Sequence, residues 1–423
     1  MTRRKGFITR QAKRLTDGEI NRRRFVMSAL SAGVTLPTAM SLASRAEANG
    51  PKFGGTLRLA IGDGGFDKKG VPQDDSDAQR LFAFARGNTL TEVAADGSIK
   101  AELAERFEPS QNGLVWTFHL REDVRFQDGA PLTADDVVET LLQQRAALPL
   151  VKGMTADGTH VVRVALLTPD AGLPRYLAHP RFIIRSADTK STTGPYRMDA
   201  HSQNCVRLVR QPDYWKHGHA HFEAVEMHAM PDVSMRLQAI MAGDVDYADG
   251  IDPRALALLH HTADVDLFEV FTGRGMALSL GPFGNGALLN EVLPHLPRTE
   301  LVNQILLGHG KPGIAPEGRA SSALPSDLTL FVKQSGVPRA DETARLIEAH
   351  LADRGCSVRR AETSEAADLI LGWEKGALPA RQADWVFWAS DLSAHSKSLK
   401  HGSHVGSNLA NDGARLIERW WFA

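Results

Sequence analysis

Three histidines alternate with small residues at His217, His219 and His221. On an extended chain, alternate side chains point to the same side, so these imidazoles would share one face. Three neutral imidazoles on one face are a geometry that can hold a divalent ion. The alternative is that the histidines are simply solvated on the surface. We therefore carry the three residues forward only as a candidate metal site and predict no cofactor.

The two cysteines, Cys205 and Cys356, stand 151 residues apart and do not form a chemical motif. Two isolated cysteines specify neither a disulfide framework nor a metal site. We expect two unpaired core thiols, with a bridge between them as the alternative.

Motifs of covalent, redox or metal-assisted catalysis are missing from the sequence. There is no cysteine cluster, no CxxCH, no HExxH, and no GxGxxG between a strand and a helix, and the short run 62–65 does not substitute for one. The sequence therefore argues against a redox enzyme and predicts that the protein is not an enzyme.

The N-terminus has the layout of an export signal. The first 25 residues contain nine Lys or Arg and two acidic residues, and an uncharged stretch over 25–43 follows. Arg22 and Arg23 lie close before Phe25, as the arginine pair does in twin-arginine signals. We predict a signal peptide over residues 1–48 that the twin-arginine machinery recognises.

Cleavage near Ala48 is expected because small residues surround that position. A membrane anchor is the alternative, but Gly33 and Pro37 interrupt the uncharged stretch, which is only just long enough to span hydrocarbon. The sequence therefore predicts a released, periplasmic protein.

The charge of the remaining chain argues against nucleic acid as a partner. The whole chain has a formal charge of −1, and residues 1–48 carry ten basic and three acidic residues. The segment 49–423 is therefore acidic, with a net charge of −8. An acidic protein binds polyanions poorly. Its length exceeds what one hydrophobic core usually organises, so we expect two or more lobes.

Helix and strand patterns mix along the chain without a strict repeat, which predicts an α/β fold. Residues 54–60 and 114–120 are typical of strands, and Thr133 is a good N-cap for a helix that ends near Gln144. Residues 101–108 are expected to form a short helical or turn segment.

Several segments resemble, in order, the dipeptide- and oligopeptide-type solute-binding proteins of ABC importers, family 5 of the extracytoplasmic binding proteins. The segments are residues 103–110, 114–138, 191–196, 208–215, 236–246, 297–308 and 406–408. The first two are similar to the family's signature block almost throughout, and the likeness fades beyond residue 275.

The resemblance implies a two-lobed periplasmic-binding-protein fold, type II and cluster C-like, that closes around a ligand by hinge motion. An extra domain is inserted in the first lobe and looks shortened, as does the C-terminus, so that a return strand to the first lobe is expected to be missing and lobe closure to be affected. The expected domains are the first lobe at 49–75 and 186–272, the inserted domain at 76–185, and the second lobe at 273–423.

In peptide-binding relatives, an aspartate a few residues after a tryptophan binds the α-amino group of the ligand. Asp391 stands at that spacing, with Trp385 and Trp388 as expected pocket residues that could equally be core packing. The segment 372–374 offers an alternative alignment.

The function that the resemblance implies is that of a periplasmic, monomeric substrate-binding protein that delivers a ligand, a peptide first of all, to an ABC permease in the inner membrane. A metal- or metal-chelate-binding member of the family and a truncated paralogue without transport activity stay open as alternatives.

Overall fold

The structure is a computed structural model that describes residues 7–12, 15, 22–48, 51–62, 65–67, 69–72, 76–148, 150–285, 287–313, 324–333, 339–374, 385–402 and 410–423. The helices are α1 (Arg22–Ser31), α2 (Leu36–Ala48), α3 (Asp77–Arg86), α4 (Ala134–Gln143), α5 (Leu173–Leu177), α6 (Val233–Ala242), α7 (Leu256–His260), α8 (Leu288–Val292), α9 (Arg298–Ile305), α10 (Ala340–Ala352), α11 (Ala410–Ala414) and α12 (Leu416–Arg419). Residues 7–12 are also helical.

The strands alternate with these helices, as expected of an α/β protein. They are β1 (Thr56–Ile61), β2 (Thr91–Val93), β3 (Ile99–Ala101), β4 (Ala104–Pro109), β5 (Val115–Leu120), β6 (Val151–Ala156), β7 (Val161–Leu166), β8 (Tyr196–His201), β9 (Cys205–Arg210), β10 (Ala224–Ala229), β11 (Tyr247–Ala248), β12 (Val265–Leu280), β13 (Gly310–Pro312), β14 (Asp327–Val332), β15 (Ser357–Arg360), β16 (Leu369–Glu374), β17 (Trp385–Ser396), β18 (Leu399–Lys400) and β19 (Trp421–Phe422).

The predicted cap of α4 is confirmed by its hydrogen bonds. The Thr133 side chain accepts from the backbone N–H of Asp136, and the Asp136 carboxylate accepts from the backbone N–H of Thr133. This reciprocal pair is a capping box that satisfies two backbone donors at the start of the helix.

The expected helix or turn over 101–108 is wrong, because these residues enter strands β3 and β4. Strand β4 forms the edge of a four-stranded sheet, pairs with β5, and brings Phe107 opposite Phe118. The alanine and glutamate content of the segment favours a helix locally, but pairing with β5 and burial of aromatic rings override that preference.

One sheet of eleven of the described strands runs through both lobes. Its order is β15-β14-β16-β12-β17-β11-β1-β10-β9-β8, and β13 pairs with β17 outside this path. The long strands β12 and β17 are antiparallel neighbours and cross from one lobe to the other. At one end β17 pairs with β11 of the first lobe, and at the other end β12 pairs with β16 of the second lobe.

Separate hydrophobic cores define the lobes. The first lobe has one core around Leu57, Tyr196 and Tyr247 and another, around Ile240 and Leu259, to which β17 contributes Leu392 and Ala394. The second lobe has a core formed by β12, β14, β16, β17 and the helices α8 to α10. The inserted sheet β4-β5-β7-β6 packs on α4 and has its own core from Leu90 to Ile184.

The structure differs from the expected domain boundaries at two places. Helix α3, expected at the start of the inserted domain, packs into the first-lobe core through Leu81 and Phe82. The segment after β17, expected in the second lobe, contributes Leu399, Ile417 and Trp420 to that same core. Both segments bury apolar side chains against the β1–β10 region, which fixes them to the first lobe. The chain thus passes to the second lobe along β12 and returns to the first lobe along β17, so the expected absence of a return strand is wrong.

Helices α1 and α2 pack against each other at the N-terminus. Phe25 is fully buried between them, together with Ala29, Ala39 and Ala43, whereas Arg23 is exposed. Within the described residues, every helix falls short of the length and apolar character that a membrane span requires.

Both cysteines carry free thiols in the structure. Cys205 lies on β9 in the first lobe and Cys356 is buried in the second-lobe core, so the two thiols belong to different lobes. Burial, followed by the charge of Glu226, raises the pKa of the Cys205 thiol. A thiol with a raised pKa is a poor nucleophile, which agrees with packing rather than chemistry as the role of this residue.

Candidate functional site

A β-bulge interrupts strand β12 where the chain passes between the lobes. The pairing with β17 is regular up to Phe271, opposite Ser390, and resumes at Arg274, opposite Ala389. Thr272 and Gly273 form the bulge, and Gly273 has φ of 73°, which a glycine adopts without steric cost. A bulge bends a strand and redirects its side chains.

The bulge positions a hydroxyl and a guanidinium beside Asp391 of β17. Thr272 Oγ1 donates to Asp391 Oδ2 over 2.5 Å, and Arg274 Nη1 lies 3.7 Å from Asp391 Oδ1. The side chain of Asp391 remains 25% exposed. The carboxylate is therefore held where β12 and β17 pass between the lobes, a region called the hinge below, and it is partly exposed.

Arg274 extends this arrangement to the first lobe. Its Nη2 donates to Asp77 Oδ1 over 2.5 Å, and Arg80 reaches the same Asp77 oxygen at 3.3 Å. Asp77 is the first residue of α3, where the helix dipole stabilises a negative charge, and Ser76 caps the helix through the N–H of Gln79. A line of alternating charges, Asp77–Arg274–Asp391, thus joins helix α3 to the crossing strands.

The two tryptophans of β17 have different surroundings. Trp385 is only 1% exposed, and its indole N–H has no hydrogen-bond partner among the described residues. Its ring therefore belongs to the protein interior in this conformation and does not line an open pocket. Trp388 is half-buried, lies 5.8 Å from the Trp385 ring between centroids, and stands between Gly275 and Lys311 of the neighbouring strands.

The alternative alignment at 372–374 lies on strand β16 of the second lobe. Trp373 is half-buried and packs against the second-lobe core, and Glu374 pairs through its backbone with Gly275.

The three histidines do not share one face. Gly218 and Ala220 have φ of 77° and 59°, so the segment is not extended and the expected alternation is lost. His217 is exposed, whereas His221 is buried between the rings of Phe53 and Trp421.

Burial, followed by the charge of Lys216, lowers the pKa of His219 to about 4, and burial together with His219 lowers the pKa of His221 to about 4. The expectation of a metal site formed by His217, His219 and His221 is therefore wrong, because the backbone directs the rings to different surroundings.

In the described part of the chain, one group of carboxylates has the spacing of a metal site: Glu92, Glu102 and Glu418. Cations of the protein already neutralise it. Lys216 Nζ lies 2.8 Å from Glu92 and 2.9 Å from Glu418, and Arg415 binds Glu102 with both terminal nitrogens at 2.5 and 2.8 Å. This buried network is a structural ion cluster that fixes the C-terminal segment to the junction between the first lobe and the inserted domain.

The ionisation of this network follows from its pairs. Burial alone would raise the pKa of Glu92, but Lys216 and Arg415 lower it to about 2. Burial opposes ionisation of Glu418 as well, yet Lys216 and Arg415 hold the pKa of that carboxyl well below its usual value. Glu92 and Glu418 are thus charged at neutral pH.

Two concave surfaces lie away from the hinge. One, of about 560 Å³, is lined by Glu105, His119 and His160 on and beside the inserted sheet. The other, of about 310 Å³, is lined by Asp266, His395 and His401. Asp391 lines neither of them, and both are open, polar surfaces.

Two lobes of mixed α/β structure joined by crossing strands are the fold of the two-lobed periplasmic binding proteins. The structure of AgaA from A. tumefaciens R10 in complex with agropinic acid superposes with a TM-score of 0.71 at 19% identity, over 87% of this chain and 99% of that one. The structure of DppA from Helicobacter pylori in complex with the peptide STSA superposes with a TM-score of 0.71 at 16% identity, over 88% of this chain and 99% of that one.

The family follows from the sequence comparison. Residues 98–316, about half of the chain, match the profile of the bacterial extracellular solute-binding proteins, family 5 Middle. The protein belongs to this family. The glutathione-binding protein GsiB of Escherichia coli O1:K1 / APEC is 25% identical over 282 residues, which are 58% of this chain and 54% of that relative. The chain thus spans about half the length of the curated relatives it matches.

Asp391 was predicted from the sequence, but the side chains that surround it were not. Thr272, Arg274 and Asp77 stand 117 to 314 residues away from Asp391 along the chain, so only the fold brings them together. One local signal was present, because Gly273 inside a run of strand-forming residues is typical of a bulge.

Proposed function

We propose that this protein binds a small ligand, a peptide in the first place, in the cleft between its two lobes and delivers it to an ABC permease in the inner membrane. The observation that carries the proposal is the Asp391 carboxylate at the hinge, which is held by Thr272 and remains 25% exposed. A carboxylate in that position can accept hydrogen bonds from a ligand ammonium group.

Closure of the lobes would strengthen this contact. A cleft between two lobes removes a ligand from water on both sides, and an ion pair strengthens as water leaves. The closed state is favoured only to the extent that the ligand binds it better than the open state. Trp388, half-buried three residues before Asp391, offers a rigid aromatic surface near the same hinge.

Export through the twin-arginine pathway is part of the proposal. Arg22 and Arg23 begin helix α1, and Phe25 follows on the same helix. We infer that the machinery reads this segment, that a peptidase cleaves near Ala48, and that the periplasmic product acts as a monomer. An extracytoplasmic location agrees with membership in a family of extracellular solute-binding proteins.

The ligands named for relatives include glutathione, the peptide STSA and agropinic acid, and NikZ from Campylobacter jejuni is named with Ni(L-His). Two of these four ligands are peptides. An ammonium anchor such as Asp391 suits a peptide, and for that reason we place peptides first.

A thermal-shift screen of the purified protein tests the proposal. Dipeptides, oligopeptides, glutathione, sugars and nickel with and without histidine are added separately. A ligand that binds the native state raises the melting temperature through the factor RT ln(1 + [L]/Kd). We expect a rise with one class of peptide and its loss in Asp391→Ala. A cooperatively unfolding protein with no shift for any class would contradict the proposal.

A further inference from the structure

Asp391 already has a cation of the protein beside it. Arg274 stands between two carboxylates, at 2.5 Å from Asp77 and 3.7 Å from Asp391. Its side chain is 13% exposed, and that of Asp77 is 9% exposed, so water screens the three charges only in part. The guanidinium is thus shared unequally, and the nearer partner is Asp77.

A ligand ammonium group that approaches Asp391 would meet this guanidinium. Two positive charges at contact distance repel each other, and the repulsion grows as water is excluded from between them. The ligand therefore binds well only when Arg274 withdraws toward Asp77. The geometry provides for this, because Arg274 Nη2 lies 2.5 Å from Asp77 Oδ1, whereas Arg274 Nη1 lies 3.7 Å from Asp391 Oδ1.

We propose that Arg274 is an internal competitor for Asp391, that Asp77 retains Arg274 away from it, and that this pair sets the affinity for ligands with a primary ammonium group. The inference rests on the proposed function, since it takes Asp391 as the ligand anchor. Arg274 is a positioning residue, because it acts on the ligand only through Asp391. It lowers the affinity for ligands that carry an ammonium charge and leaves the affinity for uncharged ligands unchanged.

Substitution of the two partners gives effects of opposite sign. Arg274→Met removes the competitor, so the dipeptide Met-Leu should bind roughly threefold to tenfold more tightly, as expected for one partly exposed ion pair. Asp77→Asn releases Arg274 toward Asp391, so the same probe should bind more weakly by a similar factor. If Arg274 and Asp77 only stabilised the fold, both substitutions would weaken the binding of Met-Leu.

The measurement is isothermal titration calorimetry on the full chain with Met-Leu and with N-acetyl-Met-Leu, which lacks the ammonium charge. The acetylated probe should bind the wild type and Arg274→Met equally. Arg163→Met is a matched control, because Arg163 of β7 pairs with Asp157 over 2.7 Å between exposed side chains of the inserted domain. The control variant should leave the affinity for both probes unchanged. Melting curves verify that each variant is folded.

The outcomes separate this inference from the proposed function. If the wild type binds Met-Leu and Arg274→Met binds it more tightly, both hold. If the wild type binds and Arg274→Met binds equally or more weakly, the inference is overturned and the proposed function stands.

If only Arg274→Met binds, the inference holds, and the protein is a paralogue silenced by its own arginine. If neither binds Met-Leu, the inference is overturned, and the thermal-shift screen with the other ligand classes decides the proposed function. Should Arg274→Met fail to fold, tighter or unchanged binding by Asp77→Asn overturns the inference, and weaker binding supports it.

Discussion

Arg415 neutralises two buried carboxylates, and its removal should be among the most damaging single substitutions in the protein. It contacts Glu102 at 2.5 and 2.8 Å and Glu418 at 2.9 Å. The three side chains are 2%, 0% and 1% exposed. Its guanidinium also lies 4.2 Å from the centre of the Phe84 ring. Arg415→Met keeps an apolar side chain of similar length and deletes the guanidinium with its charge and its hydrogen-bond donors.

The expected loss follows from the carboxylates that remain. Breaking a buried ion pair by removing one partner costs about 3–5 kcal/mol, because an uncompensated charge stays in the interior. Lys216 still lies 2.9 Å from Glu418 but 3.7 Å from Glu102, so compensation is partial. We therefore expect the lower part of that range, about 3 kcal/mol in the free energy of unfolding.

Urea unfolding followed by tryptophan fluorescence measures this change, because Trp420 is buried in the same core as the C-terminal helices. The control is Arg359→Met, whose pair with Asp327 spans 3.4 Å between side chains that are 69% and 61% exposed. An exposed pair contributes at most about 1 kcal/mol. If Arg415→Met destabilises no more than Arg359→Met does, the assignment of the C-terminal segment to this network is refuted.

The remaining predictions concern pH and export. The folded-state pKa of Glu92 is lowered to about 2, so its pair contributes stability that is present above about 4.5, the pKa of an unperturbed glutamate, and is lost as the pH falls toward 2. Urea unfolding at pH 6, 5, 4 and 3 should show this decline, and Glu92→Gln should make it shallower; a slope that Glu92→Gln does not change would argue against the pair. Exchanging Arg22 and Arg23 for lysine should leave the protein in the cytoplasm, as measured by cell fractionation. Unchanged periplasmic recovery of the double variant would rule out the twin-arginine route.

The sequence was sufficient for the local elements and for the family. The cap at Thr133 depends on a few neighbouring residues, so their types alone predict it. Segment 101–108 was misassigned because pairing with β5 decides its conformation, and that partner is not local.

The site was only partly predictable for the same physical reason. Asp391 could be named from its spacing after the tryptophans, but its contacts with Thr272 and Arg274 depend on the register of β12 against β17. The prediction for the three histidines failed because alternation places side chains on one face only when the chain is extended. The left-handed Ala220 breaks that geometry. The course of the chain after β17 required the tertiary contacts of Trp420.

Hydrogen–deuterium exchange with and without the best ligand from the thermal-shift screen tests the central claim most directly, because it reports where the ligand stabilises the backbone. A ligand held between the lobes should protect both the region around Asp77 in α3 and the region around Asp391 in β17, and Asp391→Asn should abolish the protection of both. Protection confined to one lobe, or protection that persists in Asp391→Asn, would contradict a ligand site at the hinge.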